Sequence, residues 1–303
     1  MTSTAIIFPG QGSQSVGMLY ELSQKYPMLL DSFAQASERV GYDVWQLVQE
    51  GPESKLNQTE HTQVAMLTAD VAVFSLLNQH HPIHASMMAG HSLGEYAALV
   101  CAGSLDLSDA VWLVAKRGQL MQETVPLGMG AMAAIVGLSD EEVEAICKEA
   151  SNENQQVSPA NYNAIGQVVI AGHADSIQKA IELAQAQGAK LAKLIPVSVP
   201  CHCRLLEKAA DLFGEVLEQV AFKVPTVPVI SNVDLSIYQS PEQIRTLLRE
   251  QLYSPVRWVE TIQLMKEKGI DKVIECGPGK VLSGLIKRID RTIEASSAID
   301  CLF

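Results

Sequence analysis

The run Gly90-His91-Ser92-Leu93-Gly94 combines residue types and spacing that suit nucleophilic chemistry. It fits G-x-S-x-G, in which glycines leave room for a sharp strand-to-helix turn that pushes a serine hydroxyl outward. An apolar strand-like run, Ser86 to Ala89, precedes it, and a helical pattern through Glu95-Tyr96-Ala97-Ala98-Leu99 follows. That context predicts a nucleophile at Ser92, beside a helix N-terminus whose N–H groups can hold a developing oxyanion.

A serine hydroxyl needs a base. Seven histidines are available, at 61, 80, 81, 84, 91, 173 and 202. His91 adjoins the nucleophile, but the turn should aim it elsewhere, and His80, His81 and His84 fall at a polar helix end. His202 follows an apolar strand-like run, Ile195 to Pro200, and is the best of several candidates for a base at a strand's carboxyl end. Cys201-His202-Cys203 also invites a metal reading. Three successive residues cannot readily converge on one ion, and no second cysteine pair accompanies them, so no metal is expected.

Arg117 lies in a predicted helix, Ser108 to Thr124, with Ala110, Leu113, Val114, Leu120 and Met121 on one face. It sits three residues from Val114 and four from Leu113 and Met121, so it points into that apolar stripe. A guanidinium there is either paired with a distant carboxylate or set to bind a substrate carboxylate bidentately. The pattern does not choose between these.

The elements that must position these residues read as an α/β chain. The first strand is Ala5 to Phe8, broken by Pro9-Gly10-Gln11-Gly12, and strands then alternate with helices as in a largely parallel sheet. Residues 126–197 differ. Strand-like Ala131–Val136 leads to Ser139 and Glu142, a capping box opening a helix to about Ala150. Strands near Val157 and at Gln167–Ala171, a helix from Asp175 to Gln187, and a strand from Lys190 to Val197 complete β-α-β-β-α-β, the ferredoxin-like order. The expected division is a large unit of residues 1–125 and 198–303 with a small unit, 126–197, inserted in it.

The composition fits this reading. The chain has 303 residues, 48% of them hydrophobic and 18% charged, enough apolar content for a sizeable core. No apolar stretch is long enough to cross a membrane, and MTSTAIIFPGQGSQ lacks the basic start of a secretory leader. Six cysteines without a C-x-x-C pair suggest reduced thiols and a cytoplasmic setting. The formal charge of −12, with no basic run, argues against nucleic acid as a partner.

Taken together, the chain resembles the malonyl-CoA:acyl-carrier-protein transacylases of bacterial fatty-acid synthesis, essentially end to end. The resemblance is carried in order by FPGQGSQ (8–14), GHSLGEYAAL (90–99), AKRGQLMQ (115–122), ANYNAIGQVVIAG (160–172), VPCHC (199–203), SNVD (231–234), QLYSPVRW (251–258) and ECGPGKVLSGLIKRI (275–289). It implies an α/β-hydrolase-like large domain and a ferredoxin-like small one. It also implies Ser92 as acyl carrier, His202 as base, and the N–H groups of Gln11 and Leu93 as oxyanion hole. Arg117 would hold the malonyl carboxylate, and the Gln251 carbonyl would orient His202. The implied substrates are a coenzyme A thioester and the phosphopantetheine thiol of acyl carrier protein, with no metal or redox cofactor. Leu93, where relatives that accept methylmalonyl often carry Gln, implies malonyl as the preferred group.

Two departures stand beside the base: Cys201 where the family commonly has Ser, and Arg204 where it commonly has Ala or Pro. The alternatives are a malonyltransferase of a malonate decarboxylase or polyketide pathway, and a serine hydrolase or thioesterase. A local basic surface, drawn from Lys190, Lys193, Lys280, Lys287, Arg288 and Arg291, is expected to meet the carrier protein.

Overall fold

The computed structural model describes residues 3–303. Its strands are β1 (Ser3–Phe8), β2 (Ala85–Gly90), β3 (Gly130–Val136), β4 (Val157–Ala164), β5 (Gln167–His173), β6 (Leu191–Ile195), β7 (Val229–Ile230), β8 (Ile270–Glu275) and β9 (Glu294–Ser297). They form two sheets. One is five-stranded and parallel, ordered β7-β2-β1-β8-β9; the other is four-stranded and antiparallel, ordered β4-β5-β3-β6.

β1 is central to the parallel sheet, which is why Ala5–Phe8 is apolar on both faces and fully buried. Its register pairs Phe8 with Gly90 of β2 and Ile7 with Glu275 of β8. Three strands therefore end side by side, and the turns after them emerge at one edge of the sheet. Helix Thr59–His80 is buried around most of its circumference. It packs beside helix Leu107–Thr124, which buries Ala110, Val111, Leu113, Val114, Arg117, Gly118 and Met121. The expected stripe is present, with Val111 added and Leu120 only half-buried.

All four antiparallel strands lie between residues 126 and 197 and follow the order β-α-β-β-α-β, with helices Asp140–Ala150 and Ala174–Ala186. The first of these helices opens on the expected capping box: Glu142 N–H donates to Ser139 Oγ at 3.2 Å, and Ser139 N–H to Glu142 Oε2 at 2.7 Å. One face of this sheet packs on its helices through Ile135, Val168, Ile146 and Ile177. The other, through Met132, Val169 and Ala171, packs against Cys203. A backbone link joins the two sheets' surroundings: Tyr162 N–H donates to Val256 O at 3.0 Å, and Val256 N–H to Ala160 O at 2.8 Å.

β6 ends at Ile195, two residues before the expected limit, and the apolar run to Pro200 is loop. Pro196 and Pro200 have no N–H to extend a ladder. No helix among the described residues is long and apolar enough to cross a membrane.

Candidate functional site

Ser92 follows β2 directly and has φ 52°, a left-handed conformation that side chains bearing a Cβ avoid. The flanking glycines permit this turn. A Cβ on Gly90 would lie 1.8 Å from the Gly94 carbonyl carbon, and one on Gly94 would lie 2.1 Å from Phe8 O. The turn is braced by Asn232, which accepts from Ser92 N–H at 2.7 Å and donates through Nδ2 to Gly90 O at 2.7 Å. His91 is aimed elsewhere, as its place beside the nucleophile suggested. Its Nε2 meets Asn163 Oδ1 at 2.7 Å, and its ring stands edge-on to Trp258.

Ser92 Oγ lies 2.7 Å from His202 Nε2, and His202 Nδ1 lies 2.8 Å from the Gln251 carbonyl oxygen. A carbonyl only accepts, so Nδ1 carries the proton and Nε2 is left to accept from the serine hydroxyl. His202 is 2% exposed. Burial, and then the nearby Arg117 charge, hold its pKa down to about 3, so the ring is neutral and Nε2 carries no proton. It does not sit at a strand end as expected. It occupies a turn with φ 58°, and its N–H donates to Leu252 O at 3.0 Å. Four non-glycine residues have positive φ among those described, and Ser92 and His202 are two of them. Strain of this kind gathers where a site must hold an unusual geometry.

The cysteines beside the base are anchors. Cys203 is buried against the small sheet, and half-buried Cys201 packs beside it. Burial pushes the Cys201 thiol up to about 11, which keeps it protonated near neutrality and a poor rival to Ser92. Arg204 instead points to solvent, where its Nε donates to Glu207 at 3.0 Å. Of the two departures from the family pattern, only Cys201 borders the cavity.

That cavity, about 220 Å³, is lined by Gln11, Ser92, Leu93, Arg117 and His202 on one side. Met132, Asn161, Asn163, Val169 and Ile195 of the small sheet line the other. Arg117 is 2% exposed, and its one side-chain hydrogen bond among the described residues runs from Nη2 to Gln251 Oε1 at 3.0 Å. Its Nε has no partner among the described residues, and the guanidinium carbon lies 5.7 Å from the Tyr96 ring centre. Of the two sequence alternatives, the direct ion pair with a distant carboxylate is absent among the described residues. A buried guanidinium without such a pair has unspent capacity to bind an anion in the cavity it borders. The main-chain N–H groups of Gln11 and Leu93 donate to no acceptor among the described residues.

Five of the six residues singled out in the sequence thus line one cavity, and the sixth, Gln251, lies behind it, bonded to both His202 and Arg117. Missed were Glu95, Asn232 and Tyr238, which lie beneath the turn, and Asn161 and Asn163, which reach in from β4. Their signal is tertiary: each is a polar residue within an otherwise ordinary strand, helix or loop.

The acyl transferase domain model matches residues 5–299. The malonyl CoA-acyl carrier protein transacylase of Escherichia coli O157:H7 is 51% identical over 297 residues, covering 98% of this chain and 96% of that one. A solved malonyl CoA-acyl carrier protein transacylase from Coxiella burnetii superposes with a TM-score of 0.97 at 50% identity, covering 99% of this chain and 97% of its own. A malonyl-transacylase in complex with its type II PKS acyl-carrier protein gives 0.95 at 49%, covering 98% and 95%. With a single model spanning nearly the whole chain and relatives this near, the protein belongs to the acyl transferase domain family.

Proposed function

We propose that this protein transfers a malonyl group from malonyl-CoA to the phosphopantetheine thiol of an acyl carrier protein, through an ester on Ser92. The observation that carries the reading is the junction in one cavity of a serine–imidazole–carbonyl relay with a buried guanidinium that has no carboxylate on it. The names of the relatives support it, as does the carrier-bound neighbour.

In this mechanism Ser92 gives its proton to His202 Nε2 as Oγ attacks the thioester carbonyl. The Gln11 and Leu93 N–H groups receive the oxyanion, and the CoA thiolate leaves with the proton from His202. The carrier thiol then enters and the same steps run in reverse. Arg117 pairs with the malonyl carboxylate. That pairing offsets the charge that depresses His202, so the base strengthens when the matching acyl group is bound. The thioester supplies the activated acyl group, and the chemistry requires no metal or redox cofactor.

The strand orders support an α/β-hydrolase-like large domain, residues 1–125 and 198–303, and a ferredoxin-like domain, residues 126–197. The proposed setting is the cytoplasm. Incubation with malonyl-CoA, followed by intact-protein mass spectrometry, tests the reading. A malonyl adduct should form and be discharged by a holo-carrier thiol; an adduct lost to water at the same rate with or without the thiol would favour a hydrolase.

A further inference from the structure

Beneath the Ser92 turn lies a buried acid that this mechanism does not use. Glu95 is 1% exposed and stands in the first turn of helix Gly94–Cys101. Its carboxylate accepts from Gln251 Nε2 at 2.6 Å, from Asn232 N–H at 3.3 Å and from the Tyr238 hydroxyl. We propose that Glu95 is a positioning residue for acyl selection: it fixes which way the Gln251 amide faces, and that amide aims the Arg117 guanidinium into the cavity. The inference rests on Arg117 as the carboxylate anchor.

The geometry carries it. Gln251 Nε2 donates to Glu95 and, at 3.1 Å, to Ser92 O, while Oε1 accepts from Arg117. A flipped amide would set its N–H groups against a guanidinium that only donates, and its oxygen against a carboxylate that only accepts. An ionised Glu95 therefore allows one orientation. A neutral acid can donate and so no longer opposes the other, which leaves Arg117 and the Ser92 carbonyl alone to hold the amide.

The base is held by separate means. The Gln251 carbonyl that meets His202 belongs to a helix end, where Gln251 N–H donates to Leu247 O at 2.9 Å, and His202 N–H is tied to Leu252 O. Loss of the Glu95 charge should thus disturb Arg117 more than the relay, whose His202 end is tied through main-chain groups.

The charge at Glu95 is also poised to change. Burial pushes its pKa up to about 7, against the pull of the Tyr238, Gln251 and Asn232 hydrogen bonds and of Arg117. The other titratable group against it is Tyr96, on its own helix. A raised acid is half ionised at its pKa, so malonyl preference should be full well above pH 7, fall through its midpoint at about pH 7 and be lost below it.

The test measures the rates of Ser92 acylation from malonyl-CoA and from acetyl-CoA, read by intact mass. Glu95→Gln should slow malonylation roughly tenfold or more, the worth of a hydrogen bond to a charged group, and change acetylation by less than about threefold. Equal losses for both acyl groups would make Glu95 a scaffold residue, and an unchanged malonyl rate would remove its role; either overturns the proposal. Tyr238→Phe keeps the carboxylate but removes a donor that favours its ionised form. It should move the acid limb of malonylation to higher pH and leave that of acetylation in place, and an unmoved malonyl limb again overturns the proposal. Failure of the underlying reading looks different: wild-type protein would form no malonyl adduct, or Arg117→Ala would keep its malonyl preference, whatever Glu95→Gln does.

Discussion

The two sides of the cavity are built differently. The large unit and the segment that follows β6 supply Ser92, His202, Arg117, the Gln251 carbonyl and the free N–H groups of Gln11 and Leu93. The small sheet supplies Met132, Val169 and Ile195 as an apolar wall, with Asn161 and Asn163 as its polar contacts. Ser92 and Gln11 follow the two central strands β2 and β1 of the parallel sheet, where register leaves little freedom, and His202, Arg117 and Gln251 are brought to them by a buried turn and two helices. The wall comes from a separate sheet with its own core. The difference implies that chemistry belongs to one side, and fit and access to the other.

The severest way to break that division is Ser92→Ala. It should abolish the malonyl adduct while the far-ultraviolet spectrum and melting temperature stay close to wild type, because the serine side chain packs little in an already strained turn. A full adduct on the variant would move the nucleophile elsewhere, with Cys201 the first residue to check.

Arg117→Ala should come next. A desolvated guanidinium left without its carboxylate discriminates by up to about 10⁴-fold, so acetyl-CoA is strongly disfavoured by the wild type. The variant should lose malonyl transfer steeply and spare or raise acetyl transfer. The comparison is kcat/KM for both thioesters on both proteins. An equal fall for both would make Arg117 a structural residue and leave the carboxylate without an anchor on the large unit.

The contrast also explains what could be read from sequence. Ser92 was legible because the sterics of the turn impose glycines at fixed offsets, a local constraint. Arg117 was legible as buried because helical spacing places it among apolar residues, although its purpose was not. The separate antiparallel sheet and its two helices were legible from a capping box and strands bounded by turns. His202 was singled out, but for a reason the fold does not use: the run before it contains two prolines and forms a loop. Glu95 and Asn232 were not legible at all. They act on Ser92 and Gln251 from distant parts of the chain, and no local pattern distinguishes a buried Glu with three donors from an exposed one.

A smaller effect is expected at the surface, where the proposed carrier must dock. Two of the six basic residues already have partners: Lys280 pairs with Asp300 at 2.7 Å, and Arg288 donates to Gln167 of the small sheet at 2.6 Å. Lys287 and Arg291 are exposed and make no ion pair among the described residues. Charge reversal at these two should raise the apparent KM for the carrier severalfold, weaken its salt dependence and leave acylation by malonyl-CoA unchanged. A KM and salt dependence equal to wild type would take this face out of docking.

The smallest effect is expected where the small sheet touches the Ser92 turn. Asn163 of β4 accepts from His91, the residue preceding the nucleophile, and the imidazole also rests against Trp258 of the large unit. Asn163→Ala removes the acceptor and leaves the aromatic contact. A buried ring nitrogen without its partner costs about 1–3 kcal/mol, which for a chain of this size lowers the melting temperature by several degrees. The Ser92–His202 contact does not run through Asn163, and Asn232 braces the turn from the other side. The acylation rate should therefore fall by less than about tenfold, with the larger share in KM because the wall is what has changed. Melting curves and malonyl-CoA kinetics on the same preparation decide it. A hundredfold loss in kcat at unchanged stability would mean that the small sheet takes part in the chemistry, and the division between the two sides of the cavity would be wrong.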